Sequence, residues 1–206
     1  MILAQTTEAL AHIADSINRG GVIAFRTDTF YGLGADPFKR ESVETIKQLK
    51  GREGRKPILI VISDPDQIQR FIVDRTEAFD LFAERFWPGP ITFIGKAAPE
   101  VPLEITAGTQ TVGVRLPADD KVRDLIRKCG GALTATSANP SAQAPAKTAQ
   151  EVHQYFGETI AFIVDSGPAR TDLPSTVVDV CGAEPRLIRE GVIAWSEIQS
   201  VLDSLN

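Results

Sequence analysis

Five cations crowd one ten-residue stretch. Residues 47–56, KQLKGREGRK, carry Lys47, Lys50, Arg52, Arg55 and Lys56 against Glu53 alone. Lysine offers a mobile point charge and arginine a planar fork, both suited to phosphate oxygens. Gly51 and Gly54 would let the backbone come close to such a ligand. A solvated basic surface is the other reading of the same run. No Walker pattern G-x-x-x-x-G-K-[ST] occurs, and no G-x-G-x-x-G follows an apolar run. Four polar stretches each follow an apolar run: RTDTFYGLG (26–34), VRLP (114–117), TATSANPS (134–141) and DSGPARTDLPST (165–176). Ser137 suits a phosphate oxygen and Asn139 a base or ribose edge. Alternatively, both close turns on their own backbone. In helix-covered sheets, ligands gather where loops converge at strand ends.

Composition excludes several other chemistries. The only histidines, His12 and His153, sit in helix-like segments far from any partner, which argues against a zinc site and a Ser-His-Asp triad. Cys129 and Cys181 are too few for a disulfide framework and fit a reducing cytoplasm. Net charge is −5, which disfavours whole-surface binding to nucleic acid. No apolar run approaches the roughly 20 residues of a membrane span. The opening segment reads as an amphipathic helix, not a signal peptide. Asp28, Asp36, Asp165 and Asp179 read as turn-formers or surface charges, not as metal ligands.

The elements that must position these residues alternate along the chain. Residues 7–19 place Leu10, Ile13, Ala14 and Ile17 on one helical stripe. Further helices are expected over 40–50, over 76–86 with Thr76 as N-cap, from about Asp119, from a Thr148/Glu151 capping box to Phe156, and at the C-terminal end. GVIAF, ILIVI, ITFIGKA, TVGVRLP, GALTATSA, IAFIVD, STVVDV and PRLIRE read as strands. Short connections predict antiparallel pairing among the last four. The expected architecture is one α/β domain (α+β type) over 1–206. It has three layers: a twisted mixed parallel and antiparallel sheet of about seven strands, flanked by helices, with a concave basic cavity. Residues 139–148 have the length of an active-site lid.

Taken in order, TDTFYGLGAD, Lys50-Gly51-Arg52, WPGPIT, VGVRLP, Ser137-Ala138-Asn139, PSTVVD and RLIREG resemble the YrdC-like family. The likeness runs from about residue 10 to 203. Its K-x-R and S-x-N pairs are the family's marks. The resemblance implies an L-threonylcarbamoyladenylate synthase. Such an enzyme makes threonylcarbamoyl-AMP and pyrophosphate from L-threonine, bicarbonate and ATP with Mg²⁺. A downstream threonylcarbamoyl transferase complex then modifies the adenosine beside the anticodon of certain tRNAs. It implies Thr29, Arg115 and Ser175 as threonine contacts. It implies Lys50, Arg52, Lys56, Thr111, Ser137, Asn139 and Arg189 as ATP contacts, with Lys50 and Arg52 catalytic. The chain departs from the common pattern at Arg26 and Glu53, where many members have proline, at Phe30 for valine, and at Val61, where some carry histidine.

The chemistry suits these residue types. A carbamate is already an oxygen nucleophile, so adenylation needs positioning and charge neutralisation in place of a histidine base. Two alternatives share the fold: a tRNA- or double-stranded-RNA-binding module, which steep salt dependence would reveal, and a non-catalytic assembly factor. Arg52→Ala is expected to lower the rate of pyrophosphate release about a hundredfold, the scale of losing one key electrostatic donor. Near-wild-type release would remove Arg52 from the site.

Overall fold

Side chains alternate across a strand, so each strand must find cover for two faces. The computed structural model describes residues 1–51, 56–157, 159–182 and 184–203. Its strands are β1 (Ile2–Ala4), β2 (Ile23–Arg26), β3 (Tyr31–Gly34), β4 (Leu59–Ile62), β5 (Ile72–Val73), β6 (Ile91–Ala97), β7 (Thr111–Arg115), β8 (Ala132–Ser137), β9 (Phe162–Asp165), β10 (Thr176–Asp179) and β11 (Arg186–Arg189). Its helices are α1 (Thr7–Asn18), α2 (Arg40–Leu49), α3 (Glu77–Phe86), α4 (Leu103–Thr106), α5 (Asp120–Lys128), α6 (Ala149–Phe156) and α7 (Trp195–Asp203), with a 3₁₀ turn over Pro65–Arg70. The expected caps form: Thr76 accepts from the Phe79 amide, and Thr148 and Glu151 close a capping box. None of the helices is long and apolar enough to cross a membrane, among the described residues.

The strands join one mixed sheet in the order β1-β9-β2-β3-β8-β4-β7-β6-β10-β11, with β5 pairing the far end of β6. The sheet therefore has eleven strands where about seven were expected. β1 and β5 are too short to carry a period. β3 is the stretch YGLG, whose glycines have low strand propensity. It is held because both its neighbours, β2 and β8, pair with it antiparallel.

The expected antiparallel pairing of the last four strands is also corrected. β9 pairs parallel with β1 and β2, β10 pairs parallel with β6, and only β10 and β11 pair antiparallel with each other. α6 supplies the crossover between β8 and β9. Residues 166–175 then carry the chain from the second to the ninth strand of the order. On a flat sheet that separation is about 34 Å, close to the full reach of ten extended residues at about 3.4 Å each. Yet the segment also turns on itself, with the Gly167 and Leu173 amides donating to Asp165 and Thr171. The sheet must therefore curve, and 166–175 crosses its concave side.

One face is packed along most of the sheet. Ile60, Ile62, Phe93, Val112, Val114 and Val178 bury there against α2, α3 and α7. On the other face α1 and α5 cover β2, β8 and part of β4, through Ile13, Ile17, Leu125 and Ile126. Beyond β4 no helix of the described residues covers that face, and a cavity opens there. Phe93 holds the packed face together. Its ring lies 5.8 Å from Phe79, 6.0 Å from Phe82 and 5.1 Å from Trp87, centroid to centroid. Phe93→Ala is expected to cost about 3–5 kcal/mol, seen as a lower denaturation midpoint at unchanged m-value. A shift under about 1 kcal/mol would mean that the site collapses to fill the void.

Candidate active site

The cavity holds about 360 Å³. Strand alternation explains its lining. Thr92 and Ile94 of β6, Thr111, Gly113 and Arg115 of β7, Val177 of β10 and Ser175 just before it line it. Their neighbours Phe93, Val112, Val114 and Val178 point into the packed core. Gly113 keeps the floor open: a Cβ there would lie 3.1 Å from the Thr92 methyl. Of the residues that the resemblance implied, Thr29, Thr111, Arg115, Ser137, Ser175 and Arg189 line this one cavity.

Arg115 is 3% exposed. A buried guanidinium needs a charge partner and acceptors for its remaining N–H groups. Its Nη2 donates to Asp28 Oδ2 at 2.6 Å and its Nε to the Gly89 carbonyl at 3.2 Å. Asp28 is thus more than a turn-former. Its carboxylate also accepts the Ala118 and Asp119 amides at 3.0 and 3.2 Å. Arg189 is exposed as a residue, but its guanidinium folds onto Ser175, donating to the carbonyl at 3.2 and 2.8 Å and to Oγ at 3.2 Å. Burial first, and the Arg115 charge second, lower its pKa. Two cations sharing one cavity repel each other, and an anion between them relieves that repulsion.

Hydroxyls pair along the walls. Thr27 and Thr29 Oγ1 lie 3.2 Å apart, and so do Thr92 Oγ1 and Ser175 Oγ. Thr92 was missed in the sequence. Its signal was a polar residue within a strand-like apolar run, on the face opposite Phe93. Burial pushes the Tyr31 phenol up to about 12. It stays a neutral donor to the Gly167 carbonyl at 2.8 Å.

Lys50 and Asn139 do not reach the cavity wall. The Lys50 ammonium is buried against the end of β8. It donates to the Ser137 carbonyl, to the Asn139 carbonyl at 2.8 Å and to Asn139 Oδ1 at 3.3 Å. Asn139 Nδ2 in turn donates to the Gln143 carbonyl at 2.6 Å, pinning the start of the 139–148 loop. That loop contributes Pro145 to the cavity. Lys56 is exposed and adjoins Pro57, which lines the rim. Arg52, with Glu53 and Arg55, lies outside the described residues. Cys129 is buried and Cys181 exposed, each a free thiol. Among the described residues no group of three His, Cys, Asp or Glu side chains could hold a metal ion.

The Sua5/YciO/YrdC family model, described as telomere recombination, matches residues 15–191. The threonylcarbamoyl-AMP synthase of Pyrococcus abyssi is 35% identical over 192 residues, covering 93% of this chain and 56% of that protein. The protein of the same name from Halorhodospira halophila is 33% identical over 168 residues, covering 82% of this chain and 88% of its own. The solved structure of P. abyssi Sua5 complexed with L-threonine superimposes with a TM-score of 0.94 at 33% identity, over 98% of this chain and 61% of that one. E. coli YciO shares the fold, with a TM-score of 0.84 at 22% identity. The chain thus spans little more than half of the P. abyssi protein.

The paired arginines predict that the cavity takes up anions. Inorganic pyrophosphate at about a hundredfold its Kd should stabilise the fold by about 2.7 kcal/mol, read as a rise in Tm. Arg189→Gln should remove most of that rise. An equal rise in the variant would place the anion elsewhere.

Proposed function

We infer the activity from one premise: this chain belongs to the Sua5/YciO/YrdC family. We propose that it is an L-threonylcarbamoyladenylate synthase, a nucleotidyltransferase acting in tRNA modification. The observation that carries the reading is a buried arginine fork and two hydroxyl pairs facing one cavity that also holds Arg189. The fork of Arg115 suits the threonine carboxylate. Buried hydroxyl partners suit the threonine side-chain hydroxyl and would reject valine, which leaves them unpaired. Arg189 and Thr111 in the cavity and Lys56 beside it suit the triphosphate, and the resemblance adds Arg52.

In this reading carbon dioxide adds to the threonine amine, which loses a proton and becomes a carbamate. A carbamate oxygen bonds to the α-phosphorus as the bond to the β-phosphate oxygen breaks. Pyrophosphate leaves with that electron pair. The protein aligns the two substrates and neutralises charge. Among the described residues the cavity presents arginines and hydroxyls, not carboxylates, so these residues do not fit a resident metal. Mg²⁺ belongs to this scheme as the nucleotide's own counter-ion, entering as part of the substrate. The product's mixed anhydride would pass to a downstream transferase that acts on tRNA.

The test is pyrophosphate release from Mg-ATP with threonine or bicarbonate omitted in turn. Release should require both. Release with ATP alone, or none with all three, would overturn the reading. Arg115→Lys keeps a charge for Asp28 but loses the fork. It should lower kcat/KM for threonine about ten- to a hundredfold.

A further inference from the structure

Residues 166–174 cross the concave side of the sheet and end at the cavity lining, Pro174 and Ser175. Part of their anchorage is ionic. Asp119 Oδ2 takes Arg26 Nη2 at 2.7 Å and Arg170 Nη2 at 3.0 Å. The Asp119 and Arg26 side chains are 6% and 8% exposed, whereas that of Arg170 is 59% exposed. Arg26 Nη1 also donates to the Pro168 carbonyl at 3.2 Å. Its Nε is buried with no acceptor. Buried donors are ordinarily paired, so the two Nη contacts, not the best hydrogen bonding of the whole group, set the position of Arg26.

Asp119 has a second connection. Its backbone amide, with that of Ala118, donates to Asp28, the carboxylate that holds Arg115. One residue therefore ties the crossing segment to the arginine of the cavity floor. We propose that Arg26, Asp119 and Arg170 form a clasp that fixes segment 166–174 and, through Asp28, the aim of Arg115. None of the three lines the cavity, so they are positioning residues. Resting on the synthase reading, the clasp sets affinity at the threonine end through Arg115 and Ser175. It acts chiefly at that end, because Thr111 and Ser137 are not on this path and Arg189 meets it only through Ser175. Arg170 is its exposed latch.

The experiment uses the whole chain with Arg170→Gln and Arg170→Lys. Arg170→Gln should raise KM for threonine about tenfold, with kcat and KM for ATP within about twofold. Arg170→Lys should restore most of the loss. A cycle with Asp119→Asn should show strong coupling between the two residues. The second readout needs no turnover. The Ala169 amide, bonded to the Lys147 carbonyl at 2.7 Å, should exchange its hydrogen about tenfold faster in Arg170→Gln, with β9 amides unchanged. Unchanged exchange there would overturn the clasp itself. Faster exchange with equal shifts in threonine and ATP KM would overturn its link to the threonine end. A wild-type protein that needs no threonine would sink the synthase reading and that link with it, while exchange would still decide the clasp.

Discussion

A guanidinium at 3% exposure is the constraint on which the site depends. Arg115 lies on the inner face of β7, and burying its charge alone would cost several kcal/mol. Three separate segments converge to prevent that. The TDT turn supplies the Asp28 carboxylate, the WPGP turn supplies the Gly89 carbonyl, and the entry to α5 supplies two amides that hold Asp28. Asp119, the N-cap of α5, is one of those amide donors, so the start of a helix and the aim of a cavity arginine are set together. A buried ion pair is a poor way to gain stability, since its desolvation offsets its attraction. Here it fixes the direction of a fork while the fork's other edge is left for a ligand.

The cavity exists because one sheet serves two kinds of neighbour. β6, β7 and β10 put aromatic and branched residues on the face that meets α3 and α7, and Thr92, Gly113, Arg115 and Val177 on the other. α1 and α5 stop short of those strands. The helix-free half of the face would be a liability if it were apolar and flat. Hydroxyls and arginines set polar groups into an apolar lining, and curvature makes it a pocket.

Much of this was legible in the sequence, and the gaps have physical causes. Helices α1, α2, α3, α5 and α6 carry a 3.6-residue stripe or a cap that a reader can locate, and the long strands β6 and β7 carry β-branched runs. Strand β3 was hidden because its four residues, YGLG, look like a turn. Its glycines answer to packing: a Cβ on Gly34 would come 2.5 Å from the Phe25 ring. Pairing of the last strands was misjudged because short connections were assumed to join neighbours. The 166–175 segment instead crosses a curved sheet, and curvature is a property of the whole sheet that no window of sequence carries. Six of the site residues suggested by resemblance meet at the cavity. Thr92 and Asp28 went unread as members because each acts through a partner distant in the chain, Ser175 and Arg115.

The K-x-R and S-x-N pairs acquire a physical connection from the position of Lys50. That lysine ends α2, and its ammonium is 87 residues away in sequence from the Ser137 carbonyl that it bonds. A strand that ends in a polar turn leaves carbonyls without ladder partners, and burial makes them costly unless a donor arrives. Lys50 is that donor for both Ser137 and Asn139, and the Ser141 amide returns a bond to the Lys50 carbonyl at 2.9 Å. The two motifs are therefore one junction between α2 and β8. It fixes the Ser137 hydroxyl at the cavity wall and sets where segment 139–148, which brings Pro145 to the cavity, leaves the junction. Losing the amine at position 50 would take this donor from the Asn139 carbonyl, leave the Ser137 carbonyl with the Asn139 amide at 2.9 Å, and loosen the start of 139–148. A charge that reads in the sequence as a ligand contact thus has a structural reason to be a lysine, whose three donors on a long stem can serve several carbonyl oxygens converging on one point.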